Sequence, residues 1–322
     1  MTQSNTGRRI ADVPVSAFAA VMGIAGLGAA WRRAGLAFGV APWIGEVLIF
    51  AGVLVFAFIA AAYGRKIMHS PQSMRSEFDD VTRVSFFACV PLSLQLVAAG
   101  AMPLDRATGA MMWGIATLFQ FILGLIIVRR WMAGGHSRRY FQPSLFLPSA
   151  GLLLGPAAAF HLGFSEAGWM MFSFGLLLWI IFLVLLFNRF IFDMPLADAE
   201  LPLLAITVTP PALAFMSYTA LNGQMLDPFA RFLFYAMLFF LILVLSHFER
   251  IVRSGFSFSW WALTFPAAAA ASAALEYRMA AGPDFPAGLS IAILGLATLL
   301  VIYCAVRTFM GLHSGGLFPE IK

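Results

Sequence analysis

Residues 201–221 read Leu-Pro-Leu-Leu-Ala-Ile-Thr-Val-Thr-Pro-Pro-Ala-Leu-Ala-Phe-Met-Ser-Tyr-Thr-Ala-Leu. As a helix the run is long enough to cross the roughly 30 Å hydrocarbon core of a bilayer, and it contains no Asp, Glu, Lys or Arg. In its middle stand Pro210 and Pro211. A proline inside a helix lacks the N–H that would bond one turn back, and its ring crowds that turn. In lipid such a break is tolerated only where the freed backbone faces protein or a water-filled cavity. The stretch therefore reads as a membrane span surrounded by protein.

Nine further stretches of this kind lie on either side of it, giving ten spans at roughly 14–31, 42–64, 84–102, 107–128, 143–162, 167–188, 201–221, 228–248, 256–275 and 286–306. Prolines fall inside the odd spans, at Pro91, Pro148 with Pro156, Pro210 with Pro211, and Pro266, whereas the even spans carry them only near their starts, at Pro42, Pro228 and Pro286. At a helix start the missing N–H was unpaired anyway. The intervals from Pro91 to Pro148, Pro148 to Pro210 and Pro210 to Pro266 are 57, 62 and 56 residues. One broken helix plus one smooth helix thus recurs as a hairpin repeat. The expected fold is an all-α polytopic membrane protein of ten transmembrane helices in five hairpins, the odd helices forming an inner ring around an axis.

Composition agrees. Of 322 residues, 61% are hydrophobic and 11% charged, against about 25% charged in an ordinary soluble domain. This excludes a soluble enzyme, a nucleic-acid binder and a disordered chain. The net charge of +5 resides in short loops, where basic residues read as orientation signals and headgroup contacts. The side bearing the termini collects fifteen Lys and Arg, among them Arg65, Lys66, Arg83, Arg129, Arg130, Arg138 and Arg139, and the other side five: Arg32, Arg33, Arg106, Arg231 and Arg278. That split places both termini in the cytoplasm of a cell inner (plasma) membrane protein. Residues 1–12 read as a cytoplasmic arm, 13–309 as the membrane domain and 310–322 as a cytoplasmic tail. Arg8 and Arg9 ahead of an apolar run have the outline of a signal peptide, but an even span count needs that run as span 1. Cys89 and Cys304 lie within apolar runs and suggest neither disulfide nor zinc.

The odd spans contain no Asp, Glu, Lys or Arg, and His161 sits only at the end of span 5; such residues elsewhere mark proton relays and ion-coupling sites. There is no HExxH, and the five histidines are scattered. Asp193 and Asp198 could be a metal-binding acidic motif but read better as a solvated loop. No cofactor is expected. Gly151-Leu-Leu-Leu-Gly155 fits a small-residue helix contact. What remains is a conduit with an apolar lining. A cation would need acidic rings or a carbonyl filter, and neither is present. An anion can be drawn by cationic mouths and met by the positive edges of aromatic rings. The residues alone leave water or a small neutral solute open.

Span 9 reads Trp260-Trp261-Ala262-Leu263-Thr264-Phe265-Pro266, followed by Ala267 to Ala271 and Ser272. This resembles the signature of the tellurite-resistance/dicarboxylate transporter family, which includes the plant slow-type anion channels. The likeness continues in order through Phe18 to Trp31 in span 1, Arg83 to Pro91 in span 3, Pro143 to Pro148 in span 5 and Thr209 to Ala212 in span 7. It implies quasi-five-fold symmetry around a central pore, a homotrimer with one pore per protomer, and small inorganic or organic anions as the passengers. It also implies a pore gate at Phe265, helix kinks at Pro91, Pro148, Pro210 and Pro266, and pore-lining positions at Gly23, Phe86, Phe146 and Phe215. By span pattern alone Phe265 is one core aromatic among 33 phenylalanines; its gate role comes from the resemblance. The expected function is an anion channel for chloride- or nitrate-like ions. The alternative is a carrier of C4-dicarboxylates or oxyanions such as malate, sulfite or tellurite. Trp260 and Trp261 read as interfacial anchors, and Glu276 and Arg278 either pair or tune the outer mouth.

Overall fold

The structure, a computed structural model, describes residues 13–135 and 137–314. The arm at 1–12 and the tail beyond residue 314 lie outside them. Among the described residues ten helices are long and apolar enough to cross a membrane, and there is no strand. They are α1 (Val15–Phe38), α2 (Trp43–His69), α3 (Val84–Ala101), α4 (Arg106–Met132), α5 (Pro143–Leu162), α6 (Ser165–Phe192), α7 (Asp198–Leu221), α8 (Pro228–Ser246), α9 (Phe258–Asp284) and α10 (Ala287–His313). Two short helices, Pro71–Asp79 and Phe248–Arg253, join hairpins on the face that receives the termini. The last helix continues to Ser314, into the stretch expected to be tail.

The odd helices are the inner ones. Between 67 and 89% of an 18-residue apolar stretch in each odd helix is buried, against 22 to 39% in each even helix. The ring closes: α1 packs on α3, α3 on α5, α5 on α7, α7 on α9 and α9 on α1. Each even helix packs on its hairpin partner and on the next odd helix, α10 reaching α1. The even helices are also the more apolar set, as lipid-facing surfaces require. Their outward residues, such as Phe58, Ile122, Leu177, Ile242 and Leu299, are exposed.

Close packing of the outer helices on the inner ring rests on small side chains, which let helix backbones approach. A Cβ built at Gly52 would meet Ala25, and one at Gly28 would sit 2.9 Å from the Gly45 carbonyl oxygen, so α1 and α2 touch almost backbone to backbone. Gly151 lies against Gln120 of α4 and Gly155 against Met171 of α6, so the small-residue motif of α5 is a packing surface. Polar side chains add interhelical bonds. Ser93 of α3 donates to the Phe18 carbonyl at 3.0 Å, Gln120 to the Pro148 carbonyl at 3.0 Å, and Ser290 of α10 to the Ala274 carbonyl at 3.1 Å.

All five odd helices begin as 3-10 helix: Val15–Ala17, Val84–Ala88, Pro143–Phe146, Asp198–Val208 and Phe258–Trp260. The prolines explain three of these. In an α-helix Pro91, Pro148 and Pro210 would leave the carbonyls of Phe87, Ser144 and Ile206 without a donor, at a cost in apolar surroundings. Instead Cys89, Leu147 and Thr209 donate their N–H groups to those carbonyls, as 3-10 and tighter spacing allows. Each proline then falls in the first turn of the α-helical part that begins at Cys89, Leu147 or Thr209. The disruption read from the sequence thus takes the form of a change of helix type. Pro266 and Pro156 lie further inside their helices.

Candidate functional site

The axis of the inner ring is the place to look for function, and α9 stands between α7 and α1 in that ring. Ala268, Ala270, Ala271, Ala273, Ala274 and Leu275 are wholly inaccessible, Ala267 keeps 5% exposure, and Phe265, Ala269, Ser272 and Glu276 keep 4, 3, 4 and 9%. Those four recur at i, i+4, i+7 and i+11, one stripe of a 3.6-residue helix. Phe265 stands toward the terminus-bearing end of this stripe and Glu276 toward the other.

The Phe265 ring crosses to α1. A Cβ built at Gly26 would lie 2.9 Å from its Cδ2 and 3.2 Å from its Cε2. One turn earlier Gly23 faces Thr264, whose hydroxyl donates to the Trp261 carbonyl at 2.7 Å. Gly23 is thus a contact point between α1 and α9 beside the ring. The residue after Phe265 is proline, which biases position 265 away from ideal helix. Trp260 and Trp261 are buried, unlike the interfacial anchors the sequence suggests. The Trp260 indole donates to the Gly255 carbonyl and that of Trp261 to Thr308 of α10, both at 2.9 Å. A buried indole gains from such a partner, and these two fasten the start of α9.

The remaining candidate lining residues occupy different places. Phe86 and Phe146 stand in the 3-10 starts of α3 and α5, Phe86 half-buried and Phe146 fully buried. Those two segments touch, and neighbouring 3-10 starts touch in sequence from that of α1 to that of α9. Phe215 is drawn outward into an aromatic cluster. Its ring lies 5.5 Å from Phe234 of α8 and 5.8 Å from Tyr277, which stacks on Phe234 at 4.0 Å.

Charge gathers at both ends of the ring. At the terminus-bearing end Lys66 and Glu77 form a buried pair at 2.9 Å, the Tyr63 hydroxyl also donates to Glu77, and Lys66 reaches the Val13 carbonyl. Arg130 pairs with Asp79, and Asp198 with Arg250. Burial acts to raise the Asp80 pKa, but hydrogen bonds from the Thr82 hydroxyl and from the Arg83 and Thr82 amides bring it below the usual carboxylate range. At the opposite end Arg32 pairs with Glu46 and Arg33 lies 3.4 Å from Glu276. The sequence left Glu276 and Arg278 undecided as a pair; the carboxylate's cation is Arg33 of α1. The signal for its place was its spacing from Phe265, which puts both on one face. Among the described residues there is no cluster of three His, Cys, Asp or Glu able to hold a metal.

A closed ring of helices with uncharged middles, sheathed by more apolar ones, is the frame that a family comparison fills in. The model of the SLAC1 family, described as voltage-dependent anion channel, matches residues 12–309. The chain belongs to this family. Among SLAC1-family relatives, the S-type anion channel SLAH3 of Arabidopsis thaliana is 27% identical over 92% of this chain and 48% of that protein. The tellurite resistance protein TehA homolog of Haemophilus influenzae is 25% identical, covering 90% of each chain. The guard cell S-type anion channel SLAC1 of Arabidopsis thaliana is 23% identical over 84% of this chain and 50% of that protein. The chain thus spans about half the length of these plant relatives. The protein is a multi-pass member of a membrane family of anion channels and transporters, not of enzymes.

Proposed function

We propose that the protein passes small anions such as chloride or nitrate down their gradient along the axis of the inner ring, and that Phe265 closes that path. The observation that supports the gate is the Phe265 ring laid against Gly26 of α1, on the stripe of α9 that also carries Ser272 and Glu276. A benzyl group across a narrow apolar tube blocks ions sterically and by dewetting. The plant relatives' names as anion channels support the choice of passenger. The basic majority on the terminus-bearing face supports a cytoplasmic location for that face in an inner membrane. Three copies, each with its own path, would cover part of the exposed apolar surface of the even helices.

The name of the Haemophilus influenzae relative favours a second reading, a carrier of oxyanions or C4-dicarboxylates. A carrier needs a mid-depth group to hold its substrate, and the same stripe of α9 between Phe265 and Glu276 offers only Ala269 and Ser272. The test is recording in planar bilayers under a chloride gradient, wild type against Phe265→Ala. The channel reading expects discrete conductance steps that are much more frequent in the variant. Negligible current in both overturns the gate; saturable counterflow without steps favours the carrier.

A further inference from the structure

The end of the axis opposite the Phe265 mouth holds a carboxylate that an anion path would be expected to avoid. Glu276 lies eleven residues beyond Phe265, three helical turns along the same face. Its carboxylate accepts from the Thr219 hydroxyl of α7 and approaches Arg33 of α1 at 3.4 Å. The helices α7 and α1 flank α9 on its two sides in the ring. A side chain that reaches both is on the axis side of α9, which its residual exposure also indicates.

The surrounding cations are differently committed. Arg32 is held by Glu46 and the Gly100 carbonyl, Arg106 by the His161 carbonyl, and Arg231 of α8 by the Tyr277 hydroxyl. Arg278, on the helix of Glu276 itself, has a buried Nη1 without a hydrogen-bond partner. Arg33 faces Glu276 at a distance longer than a strong charged hydrogen bond, and its side chain is 30% exposed. Its guanidinium therefore retains donors for a passing anion.

From this geometry, and resting on the anion-passage reading above, we propose that Arg33 and Glu276 are an opposed pair that determines how readily anions cross the outer end of the path. Arg33 attracts the ion. Glu276 repels it and competes for Arg33. Thr219 holds the carboxylate in place. The two charges act with opposite sign on the same ion, so removing them has opposite effects. Two residues serving only to pin α1 to α9 would behave alike.

The experiment measures chloride efflux from proteoliposomes carrying Phe265→Ala, with Glu276→Gln, Arg33→Gln or both added. Glu276→Gln keeps the shape and the acceptor for Thr219. It is expected to raise efflux about fivefold, the effect of a unit charge some 4 Å from the ion in water-like surroundings. Arg33→Gln lowers efflux by a similar factor, and the double variant returns toward the parent. Glu276→Asp keeps the charge and stays near the parent, which separates charge from shape. If both single variants move efflux in the same direction, or neither moves it, while Phe265→Ala conducts, this inference fails alone. If Phe265→Ala carries no chloride, the anion-passage reading fails and takes the inference with it.

Discussion

Gly26 and Phe265 form a contact in which a hydrogen atom stands where any other residue would place a carbon: a Cβ at 26 would lie 2.9 Å from the ring. The neighbour that would have to yield is the rigid ring of Phe265, near its base. Gly26→Ala is therefore expected to destabilise the protein by about 1–3 kcal/mol, the usual cost of overpacking. In the Phe265→Ala background the same substitution should cost almost nothing. A double-mutant cycle read by thermal unfolding in detergent measures the coupling. An equal cost in both backgrounds would show that the crowding arises elsewhere on α9.

The Lys66–Glu77 pair fastens the Pro71–Asp79 helix beneath α2 with both charges withdrawn from water. Removing one partner of a buried pair strands the other. Glu77→Ala is expected to cost about 3–5 kcal/mol, whereas Lys66→Met with Glu77→Leu should be near neutral. Unfolding midpoints of the two variants decide it; a double variant as unstable as the single one would refute the account.

The 3-10 start of α7 makes a prediction opposite to the usual rule for proline in a helix. Thr209 already donates to the Ile206 carbonyl, so nothing in the ladder awaits a donor at position 210. Pro210→Ala should change stability by less than about 1 kcal/mol, as at a helix start. A gain of about 3 kcal/mol, the penalty a proline carries in a helix interior, would count against the change of helix type.

Asp227 caps the start of α8. Hydrogen bonds from the Ala230 amide and then the Tyr218 hydroxyl hold its carboxyl below the usual carboxylate range. A carboxylate whose pKa is depressed on folding stabilises the protein above its unfolded value, about 3.9, and that contribution is lost as pH falls through the lower folded value. The melting temperature should therefore fall on acidification below about pH 4. Asp227→Asn, which keeps a capping acceptor, should flatten part of that fall. An identical pH profile for the variant would show that the acid sensitivity comes from other carboxylates.

Much of the architecture was legible because membrane burial leaves a coarse record. Prolines at 91, 148, 210 and 266 mark helices that must face protein, and their interval gives the hairpin repeat. The change of helix type was less visible, because it depends on which N–H takes up the carbonyl a proline deprives. Trp260 and Trp261 misled for a related reason. An indole at a span's start suits the membrane interface, and only the approach of Thr308 and the Gly255 carbonyl turns both inward.

The sequence by itself determined ten spans, the inner and outer sets, and the uncharged middle of the odd helices, because each follows from transferring a local stretch of chain out of water. Only the tertiary structure decided that Phe265 rests on Gly26, that Phe215 turns toward α8, and that Glu276 meets Arg33. The first and last of these pairings arise where the last odd helix closes the ring against the first, and the second where α8 packs on α7. Such closure brings together residues distant along the chain, and no local pattern of apolarity records which side chains then share a face.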